Sequence, residues 1–579
     1  VRFVLAIVCF VLAAVSMGLG IAERTVLAGP DTATATTTSP ITTPVVVIEG
    51  SALTAFPHTQ TVTLTAGSTL FAAYGRTKDV VAWVGDASYT SLSYDSTTGT
   101  LVSHVHRGTE SSVPSPAGSD LWLGQFTGDA ARTIRMTAAP DVSILAVTDG
   151  TAPAPSKVSI SWPLDNSTPW SAPLIGGGAV LLLVGFILLL WAFIHMRRAR
   201  GPRRSQPKMP KLPRRPRYRP TRPRAVTSSK GRRSISRMVA VVPLGVVTAL
   251  VLVGCTPSVP VAAPSPTPTS TGPAAPVMPA TAVTPGQLTR IVQEVTATVA
   301  KSDTTLNAAT AATRLAGPAL DERATNYAAR KKDKKVTPIA AFASGKIELA
   351  LPQQSDTWPR TVLAVVGDTN TQLAPMAYTL IQDSPRANYK VNYAIRLLPK
   401  AVLPEVAPAN VGAPRISPDI KLLLMQPQAL ALAYGDILQR DTAATSYSQF
   451  EVAGDTFRTQ VGLAFKNAEK KKLPKTAKLT FTNANGTGQI VALATNNNGA
   501  IVSVDLAETE TVTPVKKGAQ VSVTGAVKAI LGKATSTKGI VATYGDQLLF
   551  YVPSALKGGK IVLLGFSQGL INAAEYKKK

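Results

Sequence analysis

The chain has 579 residues, room for two to four domains at roughly 150 residues each. Its formal charge of +27 is uneven: 17 Lys and Arg and no acidic residue lie between Arg197 and Arg237, leaving 43 basic against 33 acidic groups elsewhere. The only two cysteines, Cys9 and Cys255, lie within or at the end of apolar runs, which excludes a disulfide framework for the soluble parts.

Three apolar segments set the plan. Phe3 to Ala22 is uncharged and about twenty residues long, enough to cross a ~30 Å hydrocarbon core. The Ala-Glu-Arg that follows is a poor cleavage site, so residues 1–22 are expected to be a retained transmembrane helix or signal anchor, followed by a linker over 23–44. The second segment, Leu174 to Phe193 within a span placed at 173–196, has Trp170 and Trp191 where interfacial aromatics sit. The third, 238–255, contains Pro243 and ends in Leu252, Val253, Gly254 and Cys255; it reads as a third span or as an internal lipoprotein signal acylated at Cys255.

The basic, Pro-rich stretch 197–237 flanks the second and third segments, so the positive-inside rule makes it a cytoplasmic loop and puts 23–172 and 256–579 outside. It is also attracted to anionic lipid heads, so the lipid bilayer is an expected partner. Its prolines disfavour an amphipathic helix, and Tyr218 is its one aromatic, so no nucleic-acid partner is expected.

Residues 45–163 read as an extracytoplasmic β-sandwich. "TQTVTLTAG", "DVVAWVGDA", "DLWLGQFTG", "RTIRMTA", "VSILAVTDG" and "KVSISWP" are short strand-like runs between turn residues. His104 and His106 would share a strand face, but without a carboxylate or Cys at ligand spacing they are read as partly exposed strand residues and not as a metal site.

After a Pro, Ser and Thr tether over 256–284, Thr284 and Pro285 mark a helix start whose apolar stripe runs through Leu288, Ile291, Val292, Val295 and Val299. Two similar α+β units are expected, 285–415 and 416–579. Each opens with helices, passes a Lys run halted by Pro338 or Pro474, and ends in strands, with Asp303 and Asp441 in equivalent places. "MAYTLIQ" pairs through "DSPRA" with "NYKVNYAIRLL", and Asn-Asn-Gly inside "ATNNNGAIV" marks a tight hairpin.

Helices followed by long antiparallel hairpins, twice over, resemble the cone-shaped nuclear-transport-factor-2-like (NTF2-like) fold. From Arg197 onward the layout of basic loop, lipobox-like segment, tether and α+β domain resembles uncharacterised envelope proteins of high-GC Gram-positive bacteria (actinobacteria). The fold class expected is therefore a multi-domain membrane protein: a β-sandwich plus a tandem NTF2-like α+β domain, with two or three transmembrane helices.

"GFSQG", Gly565 to Gly569, matches the G-x-S-x-G nucleophile elbow, but Ser567 lacks a base. The four histidines, His58, His104, His106 and His195, all precede the C-terminal domain, and Lys577 to Lys579 sit on a terminus. Gly565 and Gly569 are read as turn residues ending the last strand, before a possible helix "LINAAEY". With no Asp-x-Asp pair and no Gly-rich phosphate loop, no catalytic, metal or cofactor residues are assigned. Two functions remain. The first is a membrane-anchored interaction or assembly protein of the cell envelope, binding other envelope proteins or wall polymers. The alternative is an envelope enzyme or accessory subunit acting on glycan or lipid precursors, with Asp436 or Asp455 in a cone-shaped pocket.

Overall fold

The computed structural model describes residues 2–199, 278–370 and 372–577. Residues 200–277, with the basic loop, the third apolar segment, Leu252, Val253, Gly254, Cys255 and most of the tether, lie outside the described residues, as do Lys578 and Lys579. The chain divides into two units, one holding residues 1–28 and 168–277 and the other 29–167 and 278–579.

In the first unit, helices α1 (Arg2–Thr25) and α4 (Ser171–Ala199) run antiparallel. Phe3 meets Phe193 and Phe10 meets Phe186 edge to face, while Ser16 Oγ donates to the Leu174 carbonyl at 2.7 Å. Glycine makes the contact close: a Cβ on Gly178 would lie 2.4 Å from Met17 Cγ, and one on Gly185 would lie 3.0 Å from the Phe10 ring. Both helices are long and apolar enough to cross a membrane, and Leu5, Ile7, Val11, Leu183, Ile187 and Leu190 are exposed on their outer faces.

The second unit begins with a two-sheet domain. Its strands are β1 (Thr32–Thr36), β2 (Val45–Ile48), β3 (Gln60–Thr65), β4 (Leu70–Arg76), β5 (Tyr89–Asp95), β6 (Thr100–His106), β7 (Gly124–Gly128), β8 (Ala131–Met136), β9 (Val142–Val147) and β10 (Lys157–Pro163). Short helices α2 (Gly50–Leu53) and α3 (Thr77–Val84) connect some of them. The sheet β1-β10-β3-β8 stacks on the sheet β6-β5-β2-β9-β4-β7. Period-two alternation sends Val62, Leu64, Ile160 and Trp162 inward against Val46, Ile48, Ala72 and Ile144. The opposite face of the larger sheet is covered too: Val45, Val47, Leu145 and Val147 lie under Trp83 and Trp122. Every residue of β2 and β9 is therefore buried.

Two expectations fail here. Residues 32–36, inside the expected linker, form β1 and pair with β10 from Thr32↔Pro163 to Thr36↔Ser159; the Thr-Ala repeat carries too little apolar contrast to announce a strand. "DVVAWVGDA" is mostly helix α3, because Val80, Trp83 and Val84 recur at helical spacing and cover the sheet, an ambiguity inherent in short apolar runs.

In the C-terminal domain, helices followed by strands occur twice. The first half has α5 (Pro285–Thr305), α6 (Ala308–Ala311) and α7 (Gly317–Lys332), then β11 (Ile347–Pro352), β12 (Arg360–Val366), β13 (Met376–Gln382) and β14 (Lys390–Leu397). The second has α8 (Pro427–Arg440), α9 (Thr456–Val461) and α10 (Leu463–Lys472), then β15 (Ala477–Asn485), β16 (Val491–Ala494) and β17 (Ala500–Pro514). It closes with β18 (Val521–Ser522), α11 (Gly525–Leu531), β19 (Thr535–Ser536), β20 (Ile540–Val552) and β21 (Val562–Glu575). One sheet runs β11-β12-β13-β14-β21-β20-β17-β15, with β16 also on β17. The sheet passes from the first half to the second at Arg396↔Phe566 and Leu397↔Gly565, where β14 pairs with β21.

Each half carries helices on one face. Leu288, Ile291, Val295 and Tyr327 cover Val362, Ala364, Tyr378 and Val391 in the first half. In the second, Leu430, Tyr434, Phe450 and Phe457 cover Val502, Val504, Leu548 and Phe550. The remaining faces meet back to back, with Leu363, Val365, Ile381 and Ile395 against Val491, Leu493, Ile501 and Leu549. "GFSQG" and "LINAAEY" belong to the single strand β21, so the expectation of a turn and a helix there is also corrected. Gly565 is small because a Cβ would lie 2.5 Å from the Arg396 carbonyl oxygen, and Gly569 because a Cβ would lie 2.3 Å from Glu322 Cγ.

Candidate functional site

A cavity of about 590 Å³ opens between α7, the loop 335–342, α11 and the region where β14 and β21 diverge. Its polar lining includes Glu322, Arg323, Asn326, Arg396, Gln547 and Ser567. Glu322 is buried on α7, and its Oε2 accepts from Gln547 Nε2 at 2.8 Å, while Gln547 Oε1 accepts from the Ala394 amide. Burial pushes the Glu322 carboxyl above the usual range, with Arg323 pulling it the other way.

Both arginines of the lining are already engaged. Arg323 donates to Asp303 at 2.5 Å and to the Ala340 carbonyl at 2.8 Å, and its guanidinium lies 4.5 Å from the Phe342 ring centroid. Arg396 donates to the Ala374 carbonyl at 2.6 Å and faces Asp368 at 3.3 Å. Ser567 Oγ donates to the Ala394 carbonyl at 2.9 Å, a ladder-side contact that leaves it without a base. Glu322 is the one carboxylate among the described residues lining the cavity, so no acid and base pair is assembled there.

The other sequence candidates lie elsewhere. Asp436 is gripped by Arg440 one helical turn on, which holds its carboxyl below the usual range. Asp455 caps α9, accepting from the Arg458 amide and the Tyr434 hydroxyl; burial raises its pKa against those bonds. Neither lines the cavity. His104 and His106 are exposed on β6, where His106 stacks on Tyr89 at 4.4 Å and bonds Ser91 at 3.1 Å. Among the described residues no group of three or more His, Cys, Asp or Glu is placed to hold a metal.

A dense polar constellation that sequence reasoning missed lies at the joint between the two-sheet domain and the C-terminal domain. Asp79 on α3 receives Arg360 at 2.6 Å and its own neighbour Arg76 at 2.9 Å; the Arg360 and Asp79 side chains are 1% and 2% exposed. Asp120 receives Arg314 at 2.6 Å and the Tyr389 amide at 2.8 Å. Arg386 reaches Glu110 at 2.7 Å and the carbonyls of Trp83 and Val84 at 2.8 and 2.7 Å. Gln287 and Arg290 of α5 donate to the carbonyls of Asp120, Leu121 and Trp122, and Arg76 donates back to the Thr281 carbonyl. Trp358 packs on the cluster that holds Trp83, with Arg360 stacked 3.8 Å from its ring centroid. The signal in the sequence is faint: isolated Arg and Asp residues more than a hundred positions apart.

No curated protein and no solved structure matches the chain. Residues 279–575 match a family described as a domain of unknown function, DUF8094, which leaves α1, the two-sheet domain and α4 outside the match. That match spans just over half of the sequence and coincides with the helix-and-sheet domain just described, so the chain belongs to the DUF8094 family.

Proposed function

We propose that the protein is a membrane-anchored interaction or assembly protein of the bacterial cell envelope, of the kind found in high-GC Gram-positive bacteria. Its two docked domains lie outside the membrane and bind other envelope proteins or wall polymers. The observation that carries this reading is the joint. Residues 29–167 and 278–577 belong to one unit, although α4, apolar enough to span, lies between them in the sequence. If α4 crosses, the chain must cross back before residue 278, and Met238 to Gly254 is the apolar segment available for it. The basic loop then lies inside and Cys255 at the outer end of the returning segment, suited to acylation.

The cavity supports binding over catalysis, because its single carboxylate is tied to Gln547 and its arginines to Asp303 and Asp368. We read each half of the C-terminal domain as a variant of the NTF2-like cone, with helices covering one face of an antiparallel sheet. Crosslinking intact cells with a reagent that does not cross membranes is expected to join this protein to discrete envelope partners. Its remaining free at every reagent dose would remove the assembly reading. Full loss of cellular function in Glu322→Gln, with folding and crosslinks intact, would instead favour an enzyme.

A further inference from the structure

We propose that the DUF8094 domain carries, on the face formed by Arg314, Arg360, Arg386 and Tyr389, a self-sufficient docking site whose partner is the two-sheet domain of this same chain. The two parts then hold together without a covalent connection. This names a partner and a surface, and it does not depend on where the protein resides.

Three features carry it. First, the charges are sorted by side. Arg314, Arg360 and Arg386 come from the C-terminal domain, and Asp120, Asp79 and Glu110 from the two-sheet domain; among the described residues only Lys78 with Asp356 runs the other way. Sorted charge guides association and fixes register. Second, polar groups of the two-sheet domain find their partners across the joint. The carbonyls of Trp83, Val84, Gly118, Asp120, Leu121 and Trp122 accept from Arg386, Asn388, Gln287 and Arg290, and the Asp120 amide donates to Asn388. Such a run of backbone groups is matched in shape and hydrogen bonding to one surface, which is what specificity requires.

Third, the described part of the connection, residues 168–199, belongs to the other unit, and none of the contacts above is made by it. A connection outside an interface acts on docking by setting an effective concentration, at most about millimolar. An interface with buried, charge-paired contacts outlasts the loss of that help at micromolar protein. A cut in the connection, including processing at Cys255, therefore leaves one assembled body and not two independent products.

The test uses the full chain in a Cys255→Ser background, so that the only cut in the connection is the one introduced. A site-specific protease sequence is inserted between Thr271 and Gly272, and the detergent-solubilised protein is cut to completion and run on a sizing column at about 1 µM. The pieces are expected to co-elute. Asp120→Arg is expected to weaken them by at least about thirty-fold, as for one partner of a buried charge pair, and Asp120→Arg with Arg314→Asp to recover most of that loss. Circular dichroism of the uncut variants checks that each remains folded. Separation of the parent pieces, or co-elution indifferent to Asp120→Arg in a folded variant, would overturn the proposal. Either result leaves the crosslinking outcome above free to succeed or fail by itself.

Discussion

Asp546 sits in the middle of β20 with its side chain out of solvent; Oδ1 accepts from Gln568 Nε2 at 2.8 Å and Oδ2 has no partner. Burial first, and then the nearby Glu508 carboxylate, push its pKa well above the ordinary carboxylate value. A group whose pKa is raised on folding lends stability that is fully present below its unfolded pKa and is lost as pH rises through the folded one. Asp546→Asn keeps the acceptor for Gln568 and cannot ionise. Its unfolding midpoint is therefore expected to fall less than the parent's between about pH 4 and pH 8, where ordinary carboxylates are ionised; parallel curves in a thermal melt series would refute this. None of this was legible beforehand, because an Asp in "TYGDQLLF" looks like an exposed strand position. The same holds for Glu322, whose burial depends on Gly569 lying across from it on β21. By contrast, the lack of a base for Ser567 was legible, since the histidines of the chain all fall before the C-terminal domain.

At the level of elements, local chemistry was readable wherever it acts through neighbours in sequence. Thr284 caps α5: its Oγ1 accepts from the Gln287 amide at 3.3 Å, while Gln287 Oε1 accepts from the Thr284 amide at 2.9 Å, with Pro285 in the first turn. The hairpin between β16 and β17 turns through Asn498 at φ 63°, as its Asn-Asn-Gly suggests. What failed was the choice between helix and strand in short apolar runs, as at α3 and at the end of β21, where the neighbouring sheet decides the matter and the sequence alone does not. The cap also serves the joint, because Gln287 Nε2 donates to the carbonyls of Asp120 and Leu121. Thr284→Ala is expected to reduce stability by about 1 kcal/mol in denaturant unfolding and to loosen the cut assembly, whereas Thr284→Ser retains both. A variant as stable as the parent would show that Gln287 is held by the joint alone.

For the whole molecule, the sequence conveyed a linear order of segments and missed which of them meet. Strands of the C-terminal domain are buried on both sides because its two halves lie back to back, and no period in β12 or β13 announces that, since all seven residues of each are buried. The union of the two folded domains was equally hidden, yet it constrains topology more tightly than charge counting does. Because both belong to one unit, they occupy the same side of any bilayer that α1 and α4 enter. Single cysteines at two exposed turns of that unit, Ser96→Cys after β5 and Leu556→Cys before β21, should then behave alike in a Cys9→Ser, Cys255→Ser background. Both are expected to react with a membrane-impermeant maleimide in intact cells, and Ser228→Cys in the basic stretch only after permeabilisation. Labelling of Ser96→Cys without Leu556→Cys would put the domains on opposite sides and exclude the joint in the cell. Labelling of Ser228→Cys alone would keep the joint and invert the whole protein, which would move its partners to the cytoplasm and turn the basic stretch outward.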